Sequence, residues 1–213
     1  MDKIVLIGGG GHAASVLDAL LSTKKYEVVG ITDTTVKAGE MLLGIPVLGG
    51  DELLPELFNN GVKAAFITVG SIGSTSLRVK LYEMAKKIGF TLPVIQDPTA
   101  VVGRYCHISE GVFIGKGVVI NTLSEVGQMS IINSKAIIEH ECKIGEFCHI
   151  APGSILGGNV HIGEHAHVGI GSVILQGIKV GHHSMIGAGS VVIKNILEHK
   201  KAYGNPCREV GSI

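Results

Sequence analysis

Residues 138–168 read IEHECKIGEFCHIAPGSILGGNVHIGEHAHV. Ile138, Ile144, Ile150, Leu156, Ile162 and Val168 stand six apart in this stretch, and the same phase runs without insertion from Val102 to Val192. All sixteen positions in that register are Ile, Leu or Val. Against an aliphatic background of about one in three, such a run has a chance probability on the order of one in 10^8. An α-helix cannot carry a period of six. Two residues before each aliphatic position stands a small or branched residue, among them Ser124, Ser130, Ala136, Cys142, Cys148 and Ser154, so two inward positions per hexad are specified. A parallel β-helix meets these demands: short strands alternate in and out, and each coil buries the aliphatic row of the next. Glycine follows the aliphatic residue at 103, 115, 127, 145, 157, 163, 169, 181 and 187, where we expect it to supply the positive φ of a tight corner.

The composition suits such a core. Of 213 residues 31 are Gly, aromatics make up 4% and Trp is absent, so small and branched aliphatic side chains must fill the interior. Lys and Arg number 18 against 18 Asp and Glu, which leaves no basic field for a phosphate backbone and argues against a nucleic-acid partner. Gly or a charge interrupts every apolar stretch well before the ~20 residues of a membrane helix, and Met1-Asp2-Lys3 opens directly into a strand-like run. The expectation is a cytoplasmic protein with no membrane partner. Cys106, Cys142, Cys148 and Cys207 show no Cys-x-x-Cys spacing and are expected as small fillers, with no disulfide or zinc knuckle.

Residues 1–97 follow a different pattern, and Gln96-Asp97-Pro98 marks the expected boundary with a second domain over 98–213, including a C-terminal tail. A buried strand at 3–7 leads into Gly8-Gly9-Gly10-Gly11-His12 and a helix from Ala13 to about Lys24. A second strand ends near Asp33, followed by helix at 50–60, strand at 64–69, helix at 74–89 and strand at 91–95. That alternation describes a small α/β, Rossmann-like half domain. Gly8-x-Gly10-x-x-Ala13 fits the dinucleotide fingerprint, with Asp33 placed to meet a ribose hydroxyl. Fewer than 100 residues hold only half of a full dinucleotide fold, so a nucleotide-linked substrate fits better than a whole dinucleotide.

Seven of the ten histidines (140, 149, 161, 165, 167, 182, 183) lie between residues 140 and 183, all at outward or corner phases of the hexad and so available for chemistry. His140 stands between Glu139 and Glu141 in a hexad that lacks the usual Gly. Imidazole, whose ordinary pKa is near 6.5, suits general-base work near neutral pH, and Glu141 can orient it if a turn brings the two together. His149 and His167 are 18 apart, as are His165 and His183, so if three hexads close a coil each pair stacks about 4.8 Å apart on one face. Such columns leave open a zinc hydratase of the γ-carbonic-anhydrase kind.

The hexads resemble the left-handed parallel β-helix of the hexapeptide-repeat acyltransferases, with three hexads to an 18-residue coil. Joined to Gly-Gly-Gly-Gly-His-Ala at 8–13, the stretch 138–158 resembles the sialic-acid O-acetyltransferases and the bacillosamine-pathway amino-sugar N-acetyltransferases. The resemblance implies that His140 is the general base and that Glu141 increases its basicity. It implies that His149 contacts acetyl-CoA near the thioester, with Gly158, Ile170 and Ala188 along the cofactor's path, and that no metal takes part. It further implies that Gly10, Gly11, His12, Asp33 and Gly70 hold the UDP of a nucleotide-linked 4-amino-4,6-dideoxy sugar. Thr32 departs from an acidic pair common there, and Cys207 and Arg208 depart mildly from the closing Gly-x-Pro-Ala-Lys turn. Acetylation of a sialic-acid or glycan hydroxyl places the same demands on base and cofactor. His140 and His149 lie half a coil apart, so a homotrimer with sites between subunits is expected.

Overall fold

The computed structural model describes all 213 residues, Met1–Ile213. The chain divides into two compact units, Met1–Ser71 with Thr75–Pro98 and Thr99–Ile213 with Ile72–Ser74. No helix is long and apolar enough to cross a membrane.

The first unit runs β1 (Asp2–Ile7), α1 (Gly11–Thr23), β2 (Tyr26–Thr32), β3 (Met41–Leu42), β4 (Ile45–Gly49), a 3-10 turn at Asp51–Leu53, α2 (Leu54–Asn59), β5 (Ala64–Ile67) and α3 (Ser76–Ile88). The sheet order is β3-β4-β2-β1-β5, parallel except for β3. Ile4–Ile7 and Ala64–Ile67 are wholly buried, as expected for strands of a parallel sheet covered on both faces. The carboxyl ends of β4, β2, β1 and β5 lie side by side, the edge at which open α/β sheets hold ligands.

Two details differ from the sequence expectation. The strand expected at 91–95 reduces to a bridge between Thr91 and Ala64 and a short strand at Ile95–Gln96. The β3–β4 hairpin was not anticipated. Its turn residues Leu43 and Gly44 both have positive φ, 48° and 83°, and the leucine hides what Asn-Gly usually announces.

The second unit is a parallel β-helix. Sixteen two-residue strands run from Val101–Val102 to Val191–Val192, and the second residue of each is the aliphatic position of the hexad. Strands 18 residues apart pair in parallel, as Val119 does with Val101 and with Ile137, so three hexads close one coil with three faces. The aliphatic rows meet inside as one continuous core, where full burial of each such side chain is worth about 1.5–3 kcal/mol. Cys142 and Cys148 fill inward positions and are free thiols; burial pushes Cys148 up to about 12. Ser124, Ser130, Ser154 and Ser172, also inward, donate their hydroxyls at 2.9 Å to the carbonyls of Glu139, Gly145, Gly169 and Gly187, so no buried hydroxyl in this row lacks a partner.

The structure reassigns the glycines. The nine that follow the aliphatic residue do not have positive φ. At all of them but Gly187 the next coil's backbone passes too close for a side chain: a Cβ on Gly163 would stand 2.4 Å from His182 N, one on Gly145 would stand 2.6 Å from Glu164 N, and at Gly187 the obstacle is Tyr203 Cβ at 2.7 Å. The positive-φ corner falls two residues later, at every sixth position from Tyr105 to Gly189, and most of these corner residues are not Gly.

The faces differ outside. The first carries an aliphatic outer row, Val101, Val119, Ile137, Ile155, Val173 and Val191; the second is polar, with His107, Glu125, Lys143, His161 and Lys179; the third carries Phe113, Ile131, His149, His167 and Met185. Lys200–Tyr203 extends the third face and Arg208–Ser212 pairs with it antiparallel.

Candidate active site

His140 and Glu141 occupy the corner between the first and second faces. Glu141 has φ 60°, and this left-handed residue turns two neighbours that would point oppositely on a strand toward each other: His140 Nδ1 and Glu141 Oε2 are 2.9 Å apart. An ionised carboxylate only accepts, so Nδ1–H donates and Nε2 keeps its lone pair. The turn is pinned on both sides, since Glu141 N–H donates to Thr122 O at 3.1 Å and His140 O accepts from Asn159 N–H at 2.8 Å. Glu139 is tied separately, accepting from Asn121 Nδ2 at 2.9 Å and from the His140 N–H at 3.3 Å.

Gly158, one coil beyond His140 on the same corner, lies against the ring. A Cβ there would stand 2.6 Å from both Nε2 and Cε1 of His140, so this glycine gives the imidazole its seat. Ile170 and Ala188, also one coil apart, are exposed on the corner that follows the third face.

His149 lies on the third face. Its phase is outward, yet it is buried at 9% exposure, as are Phe113 and Ile131 in the same row, which corrects the expectation that all seven histidines are open. Asn133 Nδ2 stands 3.3 Å from His149 Nε2, so the amide donates and places the ring proton on Nδ1. His167 meets His149 edge-on with ring centres 4.9 Å apart, and burial together with the neighbouring His149 lowers its pKa to about 4. Asn133 was not singled out in the sequence; its one signal is that it occupies a hexad position usually held by Gly.

The other column is longer than expected: Phe147, His165, His183 and His199 stack with planes parallel within 8° and centres 4.6–5.3 Å apart. Nitrogens of parallel rings do not converge, and no group of three His, Cys, Asp or Glu side chains stands in metal-holding geometry.

In the first unit, Gly10, Gly11, His12, Asp33 and Gly70 all line one cavity of about 420 Å³. Cβ atoms on Gly10 or Gly11 would meet nothing, so the backbone at the start of α1 faces open space, where N–H groups attract anions. Asp33 is committed inside the protein: Oδ2 accepts from Gly9 N–H at 2.6 Å, and Oδ1 accepts from Thr35 N–H, Thr35 Oγ1 and Val36 N–H at 2.6–2.8 Å. Burial pushes this carboxyl up, but these bonds outweigh it and hold it at about 2. The sequence also missed Arg78, almost wholly buried, whose Nη1 donates to Val69 O at 2.5 Å beside Gly70.

The chain matches the PglD N-terminal domain family over residues 3–85, the GMPPB C-terminal domain family over 90–169 and the bacterial transferase hexapeptide family over 159–194. It is similar to a mutant of perosamine N-acetyltransferase from Caulobacter crescentus in complex with CoA and GDP-perosamine, with 36% identity and a TM-score of 0.93 over 100% of this chain and 98% of that one. The acetyltransferase domain of PglB from Neisseria gonorrhoeae, in complex with acetyl coenzyme A, is 29% identical with a TM-score of 0.88 over 98% of each chain. WeeI from Acinetobacter baumannii, at 24% identity and TM-score 0.86 over 99% of this chain and 100% of that one, shares the fold. With its α/β unit, its hexapeptide β-helix and this likeness along its whole length, the chain belongs to the PglD-like hexapeptide-repeat acyltransferases.

Proposed function

We propose that the protein transfers an acetyl group from acetyl-CoA to the amine of a nucleotide-linked 4-amino-4,6-dideoxy sugar. The observation that carries this reading is the His140–Glu141 pair at 2.9 Å, with Nε2 left free to accept a proton. The acceptor nitrogen attacks the thioester carbonyl while Nε2 takes its proton. The C–N bond forms, the C–S bond breaks, and the proton held on His140 is the one the departing CoA thiolate requires. Glu141 holds the imidazole in its reactive tautomer and balances the imidazolium charge. His149, its ring fixed by Asn133, is a donor for the thioester oxygen as negative charge grows there, with Gly158, Ile170 and Ala188 along the cofactor. No step requires a metal.

The cavity of the first unit takes the nucleotide, its diphosphate at Gly10, Gly11 and His12. The Caulobacter relative carries GDP-perosamine with CoA, which supports an amino-sugar acceptor; UDP, implied by the family resemblance, and GDP are the nucleotides to compare. The aliphatic outer row of the first face supports a homotrimer.

The test is CoA release with acetyl-CoA and a panel of UDP- and GDP-linked 4-amino sugars, with free sialic acid alongside. We expect turnover on an amino sugar and none on sialic acid. Turnover on sialic acid alone, or silence across the panel, overturns the reading.

A further inference from the structure

Asp51 follows β4 and lines the 420 Å³ cavity with Asp33. The two carboxylates stand in different states. Asp33 accepts four hydrogen bonds from its own loop and the glycine turn. Asp51 accepts one, from the hydroxyl of the fully buried Thr32 at 2.7 Å on Oδ1, which fixes the carboxylate and leaves Oδ2 and a lone pair of Oδ1 open.

Its place along the sheet matters as much. The diphosphate end of the cavity is the glycine turn after β1. The order β4-β2-β1 puts the end of β4 two strands away, or about 10 Å at the usual strand spacing. That is the span from a nucleotide's diphosphate across its ribose to its base, and Asp33, at the end of β2 between the two, falls at the ribose. The base therefore lies at the Asp51 end.

A carboxylate selects for adjacent hydrogen-bond donors. Guanine presents two, N1–H and the N2 amine, which pair with both oxygens of one carboxylate. Uracil offers a single N–H between two carbonyls, and adenine and cytosine each place a ring acceptor beside their amine, so all three set a lone pair against the carboxylate. Resting on the reading above that this cavity holds the nucleotide of the acceptor, we propose that Asp51, held by Thr32, is the base-reading residue and selects a guanine nucleotide over UDP.

The experiment is calorimetric titration of the full-length protein with GDP, IDP and UDP. IDP keeps N1–H and lacks the N2 amine. The expected order of affinity is GDP, IDP, UDP, with GDP tighter than UDP by about tenfold or more. Asp51→Asn, which keeps an acceptor for Thr32 and sets an amide against the guanine donors, is expected to weaken GDP by about tenfold or more and to leave UDP within about twofold. UDP binding as tightly as GDP in the parent protein overturns the proposal and leaves the acetyltransferase reading standing. Equal weakening of GDP and UDP by Asp51→Asn overturns it too, by placing the carboxylate on the ribose. Failure of all three nucleotides to bind removes both this proposal and the nucleotide-sugar reading of the cavity.

Discussion

His140 and Glu141 are neighbours in sequence that a strand would hold apart, and one left-handed torsion, φ 60° at Glu141, brings their side chains within 2.9 Å. The imidazole then has its orientation from residue 141 and its space from residue 158. His140→Ala is expected to lower kcat by about 10²- to 10⁴-fold while acetyl-CoA binds as before, read by steady-state kinetics beside a CoA titration. Full turnover by this variant removes the base assignment. Gly158→Ala tests the seat separately. Its methyl group would meet Cε1 and Nε2 at 2.6 Å, so the ring must swing away, and a misplacement of about 1 Å costs on the order of 10²-fold in kcat. Thermal stability should change little, because His140 is exposed and its ring can swing into solvent at the cost of one surface hydrogen bond to Glu141. Unchanged kcat in Gly158→Ala would mean that the seated ring position is not the reacting one.

Among the elements, the two classes of solenoid glycine make opposite demands. Gly163 has ordinary φ and no room, whereas Gly171 has φ 65° and open space. Gly163→Ala is expected to cost about 2–3 kcal/mol by pushing two coils apart. Gly171→Asn is expected to cost less than about 1 kcal/mol, since Asn tolerates the left-handed region and the chain already uses it so at Asn159. Denaturant melts of the two variants decide this, and similar costs would mean that coil spacing is not what excludes a side chain at 163. The hexads were legible because a sustained period of six with two inward positions excludes a helix and fits a parallel β-helix, whereas the 18-residue coil, its three faces and the pairing partners came from the family resemblance. Which glycine turns and which one stacks was not legible, since both stand once per hexad and only the distance to the next coil separates them. The β3–β4 hairpin stayed hidden behind Leu43, and the burial of His149 because an outward phase says where a side chain points and not what lies over it. His167, beside His149, carries a pH signature. Its unfolded imidazole protonates near 6.5 and the folded one only near 4, so as pH falls through that window the unfolded state binds a proton the folded state does not, and stability drops. The drop is about 2 kcal/mol, below the roughly 3 kcal/mol of the full shift, because the ring is only half-buried. His167→Leu should flatten the stability profile between pH 6.5 and 4 by that amount, and a profile parallel to the parent's would show that His167 already titrates normally.

For the whole molecule, the proposed homotrimer turns on the separation of His140 and His149. His140 stands at the corner before the second face and His149 on the third, nine residues or half a coil on. A rigid solenoid cannot bring these together within one chain, and the aliphatic outer row of the first face offers a surface for a neighbour. Light scattering is expected to give three 22.2 kDa chains per particle, and Ile155→Glu in that row should release monomers that lack turnover. The sharper test is complementation. His140→Ala and His149→Ala subunits are each inactive or impaired as pure trimers, because every site lacks one group. In a mixed trimer, a His149→Ala subunit still supplies His140 and a His140→Ala subunit still supplies His149, so an interface with that pair in the right order is a complete site. Co-expression of the two variants should therefore restore part of the parent's turnover, whereas mixing the purified trimers without exchange should not. If every site draws both histidines from one chain, no mixture recovers activity, and the site between subunits is excluded.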